Sequence, residues 1–532
     1  MSTTSRTLRV GGDFAAMTGG WLVRAGLGVI VSVLTARYLA PADMGRYAFL
    51  VWLAGLLAVA LSLGFPTTVT RYTAEARGGG RTGVAGALLG VVVRWQGALA
   101  LAAAALVAAG ALVVAAPWRL PLALTALSIP SLVLHGSIAA FLSGLQAFRR
   151  QALLGVATLA LQIALFALVV LVDGGVAGFL LAHAVANGAG LAMLVILARR
   201  EGRRAGALPA AGLDGATRAE MLRYARSVSV LVVLDAVVWQ RTEVVFLQIL
   251  ARPAEVAFYA LAFGVAAQVG RIPYQASVVL FPSFPALVGA GRVAEVAALH
   301  ATAMRYLVLL GAPLAIGLAV TAPAIVRLLW GAAYAPAALV LAVLALGSLV
   351  AFAAGASPAV LHAMKRQDRL LRQGLVAAAV DLGLALALVP LAGALGAALA
   401  NVLAQALGSV LAIRAAVTAA GAGVPTGALA RSLVAAALMG VIAIVPIVTL
   451  GGGAGLVLAI VLGALLYPAA LRATRALTAE DFDRARLLVE RLPVSVRAAA
   501  LGLAAWLCRA QVAPPGEAPR TGAGEPSRVG TP

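Results

Sequence analysis

The chain has 532 residues, 63% hydrophobic and 11% charged, with a net charge of +21 and a mean hydropathy of +1.02. A soluble domain carries about 25% charged residues; a water-soluble fold of this length has nowhere to put so much apolar surface, and its spread along the chain excludes a soluble enzyme on one anchor. In a soluble protein the positive charge would point to nucleic acid, but in a membrane protein Lys and Arg collect in the cytoplasmic loops, so no nucleic-acid partner is expected.

Met1–Gly12 is short and basic and leads into an apolar stretch without a small-residue cleavage site, which reads as a retained first helix and not a signal peptide. Apolar segments of spanning length fall at 14–36, 47–69, 84–116, 121–142, 153–172, 176–198, 224–249, 256–283, 303–328, 335–363, 373–390, 394–413, 432–450 and 454–471. About fourteen transmembrane helices are therefore expected. The third segment is too long for one perpendicular span, and Arg94 and Trp95 place its start at an interface or in a cavity. Turns are marked by Gly78-Gly79-Gly80, Pro117, Asp173-Gly174-Gly175 and Gly451-Gly452-Gly453.

With a cytoplasmic N-terminus the even-numbered loops lie inside. These hold Arg71, Arg77 and Arg81, then Arg149 and Arg150, then Arg199, Arg200, Arg203, Arg204, Arg218 and Arg223, and later Arg292, Arg305, Lys365, Arg366, Arg369, Arg372, Arg414 and Arg431. The odd loops hold Arg37, Arg46, Arg119, Arg252 and, marginally, Arg327. Roughly thirty cations fall inside against about five outside, termini included, which predicts an inner-membrane protein with both ends cytoplasmic. After residue 473 the chain leaves the membrane. Thr478–Leu492 reads as a short amphipathic helix with an acidic first turn, Arg497–Ala510 as a surface-lying segment, and the Pro/Gly-rich end as disordered.

Leu39–Ala48 (LAPADMGRYA) recurs as Ala251–Ala260 (ARPAEVAFYA), pairing Pro41 with Pro253, Asp43 with Glu255 and Tyr47 with Tyr259. Gly175–Gly190 resembles Gly393–Gly408 at a similar offset, pairing Gly175 with Gly393 and Gly178 with Gly396. The repeat unit spans six helices, an even number, so both copies keep one orientation and are related by an axis along the membrane normal. The expected fold is an all-α membrane protein of two six-helix lobes related by a parallel repeat, plus two C-terminal helices. The lobes are 1–198 and 224–415, joined by a cytoplasmic loop at 199–223. The extra helices occupy 430–472 and the tail 473–532.

The stretch ARYLAPADMGRYAFLVWLAGLLAVALSLGFPTTVTRYTAEARG (Ala36–Gly78) resembles the first two helices of the polysaccharide biosynthesis (oligosaccharide flippase) family. That family lies within the multidrug/oligosaccharidyl-lipid/polysaccharide exporter superfamily. Ala40 stands where the family often has Gly. Trp239–Leu287 resembles the family's seventh and eighth helices, and the likeness covers about residues 14–415. It implies export of an undecaprenyl-type lipid-linked oligosaccharide. The partners implied are that lipid, the bilayer, and a polysaccharide polymerase or glycosyltransferases.

A charge at the bilayer centre costs at least about 2.5–3.5 kcal/mol, so each needs a reason. Arg24 lies near the middle of the first span and Arg271 near the middle of the eighth. The guanidinium fork matches phosphate oxygens, so these two are expected to hold a pyrophosphate in a central cleft, with snorkelling or acid pairing as the plainer reading. The resemblance points the same way, since related flippases carry cavity arginines on the first and eighth helices. Arg241, with Asp235 and Glu243 nearby, either joins that cleft or pairs with an acid. Asp381 is a lone midspan acid, expected to balance an arginine or to carry a proton; Asp235 and Glu243 share that charge-balancing or ion-coupling reading. Arg94 and Arg226 are expected at the interface. Gln162, Gln240, Gln268, Gln275, Asn401 and Gln405 line the cleft or bond helix to helix.

Cys508 is the one cysteine, so no intramolecular disulfide or cysteine cluster is expected, and His135, His183, His300 and His362 lack metal-ligand spacing. No cofactor is expected. There is no P-loop, HExxH or GxSxG, and the long external loops of a membrane glycosyltransferase are missing, which argues against an enzyme. The readings left open are a lipid-linked oligosaccharide flippase working by alternating access, a cation-coupled drug antiporter of the same superfamily, and a non-transporting scaffold.

Overall fold

The structure, a computed structural model, describes residues 23–208, 215, 218–226, 228–229, 242–280, 283–421, 423–489 and 494–508. Among them all regular structure is helical. In chain order come α1 (23–38), α2 (Pro41–Ser62), α3 (Phe65–Gly78), α4 (Thr82–Val113), α5 (Ala116–Gly144), α6 (Phe148–Leu171), α7 (Gly175–Arg204) and α8 (218–226). There follow α9 (Glu243–Leu250), α10 (Pro253–Leu280), α11 (Ser283–Gly289), α12 (Val293–Leu329), α13 (Ala337–Ala354), α14 (Ser357–Ala363) and α15 (Gln367–Ala420). The last are α16 (Thr426–Thr449), α17 (Gly452–Thr474), α18 (Ala479–Val489) and α19 (Val494–Cys508).

Eleven spans among the described residues are long and apolar enough to cross a membrane. One of them, α15, has 54 residues; unbroken, it would run about 81 Å, far beyond a hydrocarbon core of about 30 Å. It folds back at Gly393, whose φ of 53° and ψ of −128° fall outside the helical region. The two arms pack antiparallel. A Cβ on Gly396 would lie 2.1 Å from the Leu388 carbonyl oxygen and one on Gly408 3.3 Å from Ala377 Cβ, and Arg369 Nη1 donates to the Ala415 carbonyl at 3.4 Å. The two arms of α15 make two crossings, so twelve lie among the described residues, and the expected first and seventh spans fall partly outside them. The hairpin of α6 and α7 is built the same way. Gly175 turns it with φ 56°, and a Cβ on Gly190 would strike Thr158 at 2.7 Å. The two glycines paired in the sequence repeat thus make equivalent turns.

The outer surface is apolar, as lipid requires: Val113, Leu171 and Leu391 are 85%, 83% and 82% exposed. Packing inside is not uniform along the bundle. At the end away from the Arg-rich loops, both halves share one core, in which Leu50, Phe166 and Phe179 meet Tyr259, Trp330 and Val389. At the Arg-rich end the cores separate. Val69, Phe141 and Leu194 build one within the first half; Phe284, Val296 and Leu361 build another within the second. Among the described residues the two halves thus share a core at one end and keep separate cores at the other. The equivalent helices α2 and α10 pack on each other, so closely that a Cβ on Gly45 would lie 1.7 Å from the Pro253 carbonyl oxygen. Contact between matching segments of a repeat is what an axis between them produces.

Beyond the last span, α18 forms where an amphipathic helix was expected. The carboxyl of Asp481 in its first turn accepts hydrogen bonds from Tyr306 Oη at 2.6 Å, Thr478 N at 2.7 Å and Arg305, which fastens α18 to α12. The Arg472 guanidinium lies 4.9 Å from the Trp506 ring, holding α19 against α17.

Candidate functional site

Two polar constellations sit at membrane depth. The first is cationic. Arg24 is exposed on α1, with its guanidinium over α6, where a Cβ on Gly155 would meet Nη1 at 3.4 Å. Gly155 thus makes room for the head, and His135 of α5 lies within its electrostatic reach. Arg271 is exposed on α10, nine residues before its end. Among the described residues no acid pairs with either arginine, and neither contacts the other. Arg241 and Asp235 lie outside the described residues.

The second constellation is acidic, and no single stretch of sequence displays it. Glu243 opens α9, where the free N–H groups of a helix start favour negative charge. Asp381 comes from the first arm of α15 and Asn401 from the second. The packing of α9 on α15 brings them together. Glu243 is 1% and Asp381 3% exposed. Asn401 Nδ2 donates to Glu243 Oε1 at 2.6 Å, and Gln405 Nε2 donates to Asn401 Oδ1 at 2.7 Å. Thr242 Oγ1 donates to Asp381 Oδ2 at 3.3 Å. The two carboxyls adjoin, and Glu243 Oε2 and Asp381 Oδ1 are buried without a hydrogen-bond partner.

Two adjoining buried carboxyls cannot both stay charged unless a proton or a cation sits with them. The arrangement can therefore exchange a proton or bind a small cation. Asp381 was expected above all to balance an arginine; among the described residues its neighbours are Thr242 and Glu243, and Arg241 next to Thr242 is not described. Asn401 and Gln405 were expected to line a cleft or join helices, and they do the second while orienting Glu243. The sequence reading missed the convergence and the part of Thr242. The available signal was two acids, Glu243 and Asp381, each inside a predicted span.

The remaining singled-out residues are mostly local. Gln162 lies 3.3 Å from His183 Nδ1, Gln268 bonds to Gly264 in its own helix, and Arg94 is exposed beside Trp95.

The sequence profile of the family described as "Polysaccharide biosynthesis protein" matches residues 10–288. Comparison with curated proteins returns no match. Among solved structures, one titled "Lipid II flippase MurJ, inward closed conformation" superposes with a TM-score of 0.66 at 13% identity, covering 85% of this chain and 97% of that one. A second, titled "Inward-facing conformation of a multidrug resistance MATE family transporter of the MOP superfamily", gives a TM-score of 0.59 at 14% identity, covering 75% and 94%. At these identities the likeness is one of fold.

Proposed function

Since the chain belongs to the polysaccharide biosynthesis protein family, we propose that it is a flippase carrying a polyprenyl-pyrophosphate-linked oligosaccharide across the inner membrane by alternating access. Both termini face the cytoplasm in this reading, and residues 1–198 and 224–415 form the two lobes. The observation that carries it is the pair of exposed membrane-depth arginines, Arg24 and Arg271, with no acid partner among the described residues. An unneutralised guanidinium at that depth is costly, and a pyrophosphate between the lobes relieves the cost for both. The sugars share the cleft and the polyprenyl tail stays in lipid. The separate cores of the two halves at the Arg-rich end, among the described residues, support loading from that side, and the fold shared with a lipid II flippase supports the lipid-linked class.

A charge-assisted hydrogen bond contributes about 1.5–3 kcal/mol, so Arg24→Ala or Arg271→Ala should lower export roughly ten- to a hundredfold. The assay is flipping of a fluorescent lipid-linked sugar in proteoliposomes, with protein amount and melting temperature matched. Unchanged flipping in both variants overturns the cleft assignment.

The buried acids Glu243 and Asp381 favour a second reading, a cation-coupled drug antiporter. The same acids would equally drive a flippase from a proton or sodium gradient. Gradient-driven extrusion of a cationic dye, with no lipid-linked sugar flipped, decides for the antiporter.

A further inference from the structure

Between Ser62 and Phe65 the second span leaves the α-helix. Leu63 (φ 47°, ψ 39°) and Gly64 (φ 66°, ψ 1°) are consecutive left-handed residues. Two left-handed residues in a row strip carbonyls of their helical partners, and a span in lipid must have them satisfied. Side chains from elsewhere reach them: Gln96 Nε2 donates to the Ser62 carbonyl at 3.0 Å, and Ser229 Oγ lies 2.6 Å from the Leu63 carbonyl oxygen and 2.7 Å from that of Ala225, its one proton shared between them. The break is thus docked on the chain that enters the second half; a Cβ on Gly64 would stand 2.9 Å from Ser229 N.

Beside this break, at the Arg-rich end, opens a cavity of about 450 Å³ walled by Leu63, Phe65 and Leu222 and carrying Arg223, Arg226 and Ser229. Arg223 and Arg226 are three residues apart on α8, so their heads emerge on one face, and both are exposed. Glu220, on the same helix, accepts from Tyr72 Oη at 3.1 Å. Around the mouth, Arg71 lies 4.5 Å from the Tyr224 ring and Tyr72 packs edge-on to Tyr224 at 6.0 Å, the aromatic and cationic mixture of a membrane–water interface. The volume is that of a small-molecule site, enough for a phosphate headgroup with the glycerol and the first carbons of its chains.

We propose that this cavity binds the phosphate of an anionic bilayer phospholipid, with Arg223 and Arg226 on the phosphate oxygens and the start of the acyl chains against Leu63, Phe65 and Leu222. Basic pockets between spans at a cation-rich face suit that headgroup chemistry. Bound there, the lipid bridges α8 and the break, and so holds the entry to the second half in place. The inference stands apart from which substrate crosses the cleft.

The test is the phosphatidylglycerol retained on full-length protein after delipidation, measured by mass spectrometry. Arg223→Gln/Arg226→Gln should retain about tenfold less, whereas Arg199→Gln/Arg200→Gln, the same charge change at the same end, should retain the wild-type amount. Equal retention in the two variants overturns the site, and so does displacement of phosphatidylglycerol by equimolar undecaprenyl phosphate, which would give the cavity to the carrier lipid. A second measurement needs no variant. Hydrogen exchange of residues 218–229 in wild-type nanodiscs should slow several-fold when phosphatidylglycerol replaces part of the phosphatidylcholine, and an unchanged rate overturns the proposal.

Discussion

At the scale of single residues, the charges divide into two kinds by what surrounds them. Arg24 and Arg271 are exposed and without acid partners among the described residues, which suits a bound anion. Glu243 and Asp381 are buried against each other, which suits a bound proton or cation. The double variant Glu243→Gln/Asp381→Asn keeps the shape of the acid site and removes its charge. Replacing buried charge by neutral groups of equal size is commonly neutral or stabilising, so the melting temperature should hold or rise. Gradient-driven transport should fall by at least about tenfold, the scale of a coupling free energy, and its dependence on pH or sodium should disappear. Wild-type transport with intact gradient dependence would make the pair a structural contact. In sequence Asp381 was visible as a costly midspan charge and Glu243 as an acid beside Arg241. Their meeting was not, because it depends on a fold-back at Gly393 that brings Asn401 beside an α9 residue far away in the chain.

The elements were legible to the extent that lipid dictates them. Hydropathy alone marks a span, and the lipid-facing surface confirms that the apolar stretches lie where hydropathy put them. What hydropathy does not contain is the polar stitching between elements. Arg305 reads in sequence as one more inside cation, yet its side chain is 14% exposed and pairs with Asp481 of the tail. Burial by itself would raise the Asp481 carboxyl; hydrogen bonds from Tyr306 and Thr478 and the Arg305 charge more than reverse this and hold it below its ordinary 3.8. A carboxyl whose folded value lies below its unfolded one stabilises docking fully above the unfolded value, and the contribution is lost as pH falls through the folded value. Docking of α18 on α12 should therefore be constant through neutral pH and weaken only below about pH 4. At neutral pH Asp481→Asn leaves Arg305 half-satisfied, a loss of about 3 kcal/mol, so hydrogen exchange across residues 479–489 should quicken about a hundredfold. Exchange equal to wild type would show that the apolar face of α18 holds it without the carboxyl.

For the whole molecule, the question is what keeps the halves together at the end where they share a core. The shared core does part of it. A polar seam does the rest, built from the last turn of α12, whose free carbonyls attract cations. Arg37 Nε donates to the Leu329 carbonyl at 2.9 Å and Nη2 to the Leu328 carbonyl at 2.5 Å. Tyr334 Oη donates to the Leu39 carbonyl at 2.7 Å, and Trp330 Nε1 reaches Ser32 Oγ at 3.3 Å. Arg37 is solvent-exposed, so its bonds contribute about 1 kcal/mol; Tyr334 is buried, and leaving the Leu39 carbonyl unpaired costs about 1–2 kcal/mol. In the proposed flippase cycle this end opens in turn, which calls for a seam weak enough to break and strong enough to bias the resting state. Removing it in Arg37→Ala/Tyr334→Phe should move the equilibrium toward the opposite-facing state by roughly thirty- to a hundredfold. Spin labels at Ala40→Cys and Ala335→Cys, with Cys508→Ser to leave no other thiol, read the seam directly. In the wild type one short distance should dominate. In the seam variant a longer distance should take over, and transport should slow because the resting state no longer favours loading at the Arg-rich end. If the short distance persists unchanged, the apolar core by itself sets which way the molecule faces.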